Sequence, residues 1–390
     1  MNKKEFYIFS VLLFAISLIF TLHTAYLMFS FFSAWILFQL VLKRNKTILI
    51  LLVSLLVSFF LFEYAGSKIL KRRISQEYFS ELSHYPKPDA NKGFNEDGVR
   101  TYLDRSVFQF SQDTLNIIFL GDSFTQGYMV RKDQSFPLQV GALLEKTNPG
   151  LKFNIANFGW ISSSPLLSYF RLEKIAAKYK PNLVLLCLDM TDFHDDLKYR
   201  DRLENPRWFS PFTFFLYRFN LAQRWLEFKK GLRFSARNPK IPEQRYFILN
   251  QPLAKNRKYL GEIERNIRSI ADFCREKLQA KFVLIMLPRN IQYNPLETPH
   301  NRLEPGEYSV QGPYVMEPFV WLDQFRQKVK FPVFSLLADF KNTRLFPTCF
   351  ATDPHWNSNG HAVAAQGVMK ILKKLAAENY IDLRSAGKKQ

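Results

Sequence analysis

Apolar residues are distributed along this chain in two different ways. Up to residue 66 they form long unbroken runs, at Phe6–Leu22, Ala25–Leu42 and Ile48–Phe62. Each run is close to the length a helix needs to cross a bilayer, the third only if Glu63 to Gly66 are added. The stretch from Phe6 to Leu42 is too long for one span, which predicts a tight hairpin at His23-Thr24. Residues 1–66 therefore read as a membrane anchor of about three transmembrane helices. Past residue 110 the apolar runs are short and alternate with segments of helical period. Leu115–Leu120, Phe153–Ala156, Leu183–Leu188, Lys281–Leu287 and Phe331–Leu336 read as strands. Pro137–Lys146, Pro165–Tyr179, Asn256–Leu278 and Gly360–Glu378 read as helices. Such alternation predicts an α/β domain with a parallel sheet covered on both faces.

Between anchor and domain, residues 67–110 form a polar connector punctuated by Pro86, Pro88 and the turn-like Asn95-Glu96-Asp97-Gly98. Residues 111–390 make up the α/β domain, interrupted at about 197–250 by a long insertion dense in aromatic and basic residues. Phe212, Phe214, Phe215, Trp225, Arg218 and Lys229 typify it. Long insertions of this kind are usually functional or mobile. Two readings stand side by side: a lid or membrane-resting patch, and a small helical subdomain packing its aromatics on the sheet.

Charge adds an orientation. Lys3 and Lys4 precede the first span and Lys43, Arg44 and Lys46 separate the second from the third, whereas the first hairpin carries no Lys or Arg. The positive-inside rule then makes both basic ends cytoplasmic and sends the domain to the extracytoplasmic side. Lys68, Lys71, Arg72 and Arg73 point the other way. A cleaved signal peptide is disfavoured by the two further apolar runs. The net charge is +20, of which residues 1–75 supply nine Lys or Arg against two Glu, leaving +13 for the remainder. That surplus suits proximity to anionic headgroups or acidic polymers. No zinc-finger spacing or RNP-like run points to nucleic acid. Cys187, Cys274 and Cys349 are an odd set that implies no disulfide framework.

The candidate chemistry lies where the first predicted strand breaks, in Gly121-Asp122-Ser123-Phe124. A glycine allows the sharp turn, Asp122 can cap the following amides, and Ser123 is left at the carboxyl end of a buried strand, where open α/β sheets bind ligands. A serine nucleophile needs a base. Of the six histidines, His23 lies in the membrane hairpin, His84 and His300 in proline-flanked loops, and His194 after an acidic loop. Only His355 has a carboxylate, Asp353, two residues earlier to orient its ring. His361 reads as a helix-start residue facing solvent or packing the helix end.

Taken in order, these blocks resemble the SGNH/GDSL hydrolase family. Gly121-Asp122-Ser123-Phe124 resembles the first block and Asn157-Phe158-Gly159 the glycine block. Asp353-Pro354-His355-Trp356-Asn357, followed by Gly360-His361, is similar to the last block of membrane-anchored bacterial members, and Gly98-Val99-Arg100 to a common lead-in. The resemblance spans roughly residues 95–378. It implies a three-layer α/β/α flavodoxin-like domain in which His355, held by Asp353, takes the proton of Ser123 during attack on an ester carbonyl. The amides of Ser123 and Gly159 would stabilise the oxyanion. Thr191 stands where the family's third block has an oxyanion asparagine, and its hydroxyl would be a third donor. The terminal acid and base are spaced Asp-x-His where many members have Asp-x-x-His. No cofactor or metal is implied. The expected substrates are acyl esters, acetyl above all, of cell-surface glycans, with water or a sugar hydroxyl as acceptor. The alternative is a catalytically impaired glycan-binding or envelope scaffold protein.

Overall fold

The computed structural model describes residues 86–204, 241–301, 303, 308–310 and 312–383, together with Ser54 and Ser58. Two compact units divide the chain, and the fold below belongs to the one comprising Gln76–Asn205 and Ala236–Gln390. The predicted spans, apart from Ser54 and Ser58, and the aromatic residues 205–235 lie outside the described residues. Among the described residues no helix is long and apolar enough to cross a membrane.

The apolar runs form the sheet. β1 (Arg100–Thr101), β2 (Leu115–Gly121), β3 (Phe153–Asn157), β4 (Leu183–Leu188), β5 (Lys281–Met286) and β6 (Val333–Ser335) lie in the order β1-β3-β2-β4-β5-β6. Strands β2 to β6 are parallel, with Ile118 opposite both Ala156 and Val184. The expected all-parallel sheet is mixed at one edge, where β1 pairs antiparallel with β3 through Arg100 and Asn157. Two residues are too few to show an alternation in sequence.

Every residue of β2, β3 and β4 is buried, as strands covered on both faces require. Alternate side chains go to separate cores. Ile118, Leu120, Val184 and Leu186 point to one, with helices α3 (Pro165–Ile175), α6 (Leu253–Phe273) and α8 (Glu317–Arg326). Ile117, Phe119, Leu183 and Leu185 point to the other, with α2 (Phe136–Thr147) and α10 (Ser358–Ala377). The result is three layers. In between come the short α1 (Ser123–Gln126), α4 (Asp192–Glu204), α5 (Phe247–Asn250), α7 (Asn290–Tyr293) and α9 (Leu337–Lys341).

Several departures from the sequence reading have local causes. The expected helix to Tyr179 tightens into a 3₁₀ turn at Ala176–Tyr179, and the one ending at Leu278 closes in a π turn over Cys274–Leu278. Residues 192–204, placed partly in a loop and partly in the insertion, are helix α4. Its sequence is too polar to show an apolar stripe, and tertiary partners hold its buried Asp195 and Asp196 instead. Asp196 accepts from the Leu166 amide at 2.8 Å and from Asn266 at 2.9 Å. Asp353–Trp356 is strand β8, paired antiparallel with β7 (Cys349–Phe350) in a hairpin outside the main sheet.

After the edge strand β1 the chain places β2 at the centre, adds β3 between the two, then crosses to β4 on the other side of β2. That reversal puts the carboxyl ends of β2, β3 and β4 around one crevice, the ligand position of open α/β sheets.

Candidate active site

Ser123 is held by the geometry of its turn. Gly121 has φ +151, and a Cβ there would stand 2.3 Å from Thr125 Oγ1 and 2.7 Å from the Cys187 carbonyl oxygen. No side chain fits, so β2 can bend directly into α1. Asp122 caps that helix, its Oδ1 accepting from the Phe124 amide at 2.9 Å. Gly127, in the left-handed region at φ +78, closes α1 after one turn.

The fold brings Asp353 and His355, the expected acid and base, to this serine from the far end of the domain. Ser123 Oγ lies 2.8 Å from His355 Nε2, and His355 Nδ1 lies 2.5 Å from Asp353 Oδ1. The same Asp353 oxygen accepts from the His355 amide at 3.0 Å. An Asp-x-His spacing therefore suffices, because residues two apart on β8 share one face of the strand. Aromatic rings fix the imidazole on two sides. Phe124 stacks on it at 4.9 Å with 25° between planes, and Tyr128 meets it edge-on at 5.0 Å. Behind Phe124 stands Trp356 at 4.8 Å, itself stacked on Phe340 at 4.5 Å.

The expected oxyanion donors fare differently. The Ser123 amide, at the first position of α1, makes no hydrogen bond among the described residues. The Gly159 amide is committed, donating to Asn157 Oδ1 at 2.9 Å. A Cβ at Gly159 would lie 2.5 Å from the Gln126 amide nitrogen, so this glycine is needed for close packing of its loop on α1. The Thr191 hydroxyl donates its single proton to Asp189 Oδ2 at 2.6 Å, and the Thr191 amide bonds the same oxygen at 3.0 Å. In this geometry the Gly159 amide and the Thr191 hydroxyl, both expected as oxyanion donors, each have a partner on their own loop. Beyond Gly159, Trp160 donates its amide to the Gly121 carbonyl at 3.1 Å, which ties this loop to the end of β2. Ser162 is a non-glycine residue at φ +55. Its carbonyl is held by the Tyr199 hydroxyl at 2.7 Å, and its amide is unpartnered among the described residues.

Sequence reading missed Arg289. It follows β5, which lies beside β4, and its Nε and Nη2 grip Asp189 at 2.6 and 2.5 Å with both side chains buried. The guanidinium also sits 4.2 Å from the centre of the Phe124 ring. Burial opposes ionisation of Asp189, but the Arg289 charge and the Thr191 bonds outweigh it and hold the carboxyl at about 2. Two neighbours go the other way. Burial and then the Asp189 charge push Asp122 up to about 7, and burial with the charges of Asp122 and Asp189 pushes Asp192 well above the carboxylate range.

The remaining histidines stand apart from this chemistry. His194 Nε2 lies 3.1 Å from the Pro242 carbonyl, His300 is exposed, and His84 lies outside the described residues. His361 is fully buried, accepting at Nδ1 from the Phe136 amide at 3.3 Å. Burial drives its pKa down to about 3, so it is neutral and packs the start of α10. Among the described residues no His, Cys, Asp and Glu cluster is arranged to hold a metal ion.

No protein-family profile and no curated protein sequence matches the chain. Solved structures similar to it include TesA, at 14% identity and a TM-score of 0.38 over 67% of this chain and 99% of that one. Another is a two-domain esterase (CEX) active on acetylated mannans, at 14% identity and 0.38 over 69% of this chain and 52% of that one. A third is a catalytic mutant of Axe2, an acetylxylan esterase from Geobacillus stearothermophilus, at 17% identity and 0.37 over 66% and 93%. Likenesses at these identities and scores decide nothing about activity.

Proposed function

We propose that this chain is an SGNH/GDSL-type serine esterase or O-acyltransferase. The observation that carries the reading is the continuous bonding path from Ser123 Oγ to His355 Nε2 and from His355 Nδ1 to Asp353. A hydroxyl in contact with an imidazole whose far nitrogen meets a buried carboxylate is the arrangement that activates a serine. In the forward step Ser123 Oγ bonds to the ester carbonyl carbon as its proton passes to His355 Nε2. On collapse the alkoxide leaves with that proton and an acyl-serine remains. Water gives hydrolysis and a sugar hydroxyl gives transfer, each handing its proton back through His355. The developing oxyanion is assigned to the Ser123 amide, one such donor being worth roughly 3–4 kcal/mol of transition-state stabilisation.

The finer parts of the reading draw on the order of the sequence blocks and on the apolar first 66 residues. In them the enzyme is anchored by several spans, its domain faces away from the cytoplasm, and its substrates are acetyl esters of surface glycans. A non-catalytic, glycan-binding role draws instead on the committed Gly159 and Thr191 donors.

Treating the chain with a serine-reactive fluorophosphonate and mapping the adduct by mass spectrometry tests the core claim. The adduct is expected on the peptide holding Ser123 and absent in Ser123→Ala. Undiminished labelling of that variant would sink the assignment. Hydrolysis of p-nitrophenyl acetate by wild type separates the esterase from the binding role. An extracytoplasmic-only reporter fused after Gln390 should be active; activity of a cytoplasm-only reporter instead would invert the topology.

A further inference from the structure

We propose that Glu297 is a positioning residue for the base, its carboxylate fixing the hairpin that carries Asp353 and His355. The proposal rests on the reading of His355 as the general base and adds what holds it in place.

The need comes from the hairpin itself. Strands β7 and β8 share two residue pairs, Cys349 with Trp356 and Phe350 with Asp353, with an irregular register between Cys349 and Phe350. A ribbon of that length is not stable alone in water. Catalytic groups nevertheless must be held within about 0.5 Å of their working geometry. The main sheet cannot do this, because the hairpin is not part of it.

Glu297 supplies the missing hold. It lies in the loop after α7 and is 6% exposed. Its Oε1 accepts from the Thr348 amide at 2.8 Å and from the Thr348 hydroxyl at 3.0 Å. Its Oε2 accepts from the Cys349 amide at 2.9 Å and from the Thr348 amide at 3.0 Å. All four contacts come from the root of the hairpin. The same loop reaches its other parts. Tyr293 places its hydroxyl 2.7 Å from Thr348 Oγ1, and the His300 amide donates to the Ala351 carbonyl at 3.0 Å. Thr348 passes the constraint across to the strand of the base, its carbonyl accepting from the Asn357 amide at 2.9 Å, two residues beyond His355.

The chemistry of the anchor is specific. A carboxylate can accept every one of these bonds, whereas a glutamine of equal size must turn its NH₂ toward an N–H donor. Such a mismatch costs more than a missing bond, since the Thr348 and Cys349 donors are all buried. Glu297→Gln therefore leaves shape nearly constant and displaces the root. A displacement of about 1 Å at the reacting atoms costs on the order of a hundredfold in rate.

The test uses the full chain in detergent, with wild type, Glu297→Gln, Glu297→Asp and Thr348→Ser. Three quantities are read: the fluorophosphonate labelling rate at Ser123, kcat and KM on p-nitrophenyl acetate, and the downfield proton resonance of the His355 Nδ1–Asp353 bond. Glu297→Gln is expected to lower labelling and kcat by about ten- to a hundredfold with KM nearly unchanged. It should also shift or broaden the resonance while melting above the assay temperature. Thr348→Ser keeps both donors and should stay near wild type. Wild-type rates in Glu297→Gln, or reduced rates with an unmoved resonance, overturn the proposal. If Glu297→Gln does not fold, Glu297→Asp decides: a folded protein with wild-type labelling overturns it, and a slowed one with a shifted resonance supports it. Because the resonance needs no turnover, it separates this proposal from the esterase reading. A wild type that never labels, yet whose resonance moves in Glu297→Gln, refutes the esterase and keeps the anchor.

Discussion

Replacing Arg289 with methionine would leave Asp189 buried beside Asp122 and Asp192 without its cation. The size of the loss follows from the ionisation of Asp189. Its carboxyl is held at about 2 against 3.8 for the free group, a shift worth about 2.5 kcal/mol through linkage. Removing one partner of a buried pair typically costs about 3–5 kcal/mol, because the remaining charge keeps its desolvation penalty. Both side chains are nearly inaccessible, at 3% and 1%, so solvent offers little relief. The pH dependence gives the sharper test. In wild type Asp189 contributes stability that is present above about 4 and lost as pH falls through about 2. In Arg289→Met only the two Thr191 bonds remain against burial, so the pKa of Asp189 rises, and stability is lost as pH rises through the new value. The gap between the two proteins should be wide at pH 8 and should narrow toward pH 5. Thermal melts followed by tryptophan fluorescence at both pH values would measure it, with a drop of on the order of 10 °C at the higher pH. An equal loss at both values, or a loss under about 1 kcal/mol at pH 8, would refute this electrostatic account.

Other perturbations follow from the same geometry. Thr191→Val breaks the 2.6 Å bond to the ionised Asp189 and should cost about 1.5–3 kcal/mol of stability while leaving kcat near wild type. A tenfold fall in kcat at unchanged stability would instead make the hydroxyl an oxyanion donor. Asp353→Asn should keep the fold and lower kcat by at most about 10⁴-fold; an unchanged kcat would leave a Ser-His dyad. His361 is depressed to about 3, so its stabilising contribution is present above 6.5 and lost as pH falls toward 3, by at most roughly 5 kcal/mol. Melting of His361→Gln should depend less on pH over that window, and parallel curves would contradict the assignment. Gly360→Ala puts a Cβ 2.3 Å from the Thr348 carbonyl oxygen and 2.7 Å from Trp356 Cβ, so both melting temperature and labelling at Ser123 should fall. A wild-type labelling rate would show that the hairpin root tolerates displacement.

The sequence singles out Ser123, Asp353 and His355 because their signals are local: a glycine break after a buried strand, and a carboxylate two residues before an imidazole. The strands are legible for a related reason, since residues covered on both faces must be apolar throughout. What stays hidden depends on tertiary placement. Gly159 and Thr191 donate to Asn157 and Asp189, short side chains that turn back onto their own loops, and residue identity alone does not fix that choice. Arg289 meets Asp189 across 100 residues because β4 and β5 are neighbours, which follows from strand order. The hairpin of the base has too few residues to show a period, and α4 is too polar to show a stripe.

Ser123 and His355 are separated by 232 residues, and the base reaches the serine only on a hairpin that precedes α10, which packs on α2. During synthesis at about 5–20 residues per second the serine leaves the ribosome some 10–50 s before its base. Under the proposed mechanism it would be an ordinary alcohol throughout that interval, and it would gain reactivity only once the end of the domain has docked. A chain that acylates would then be its own mark of finished folding.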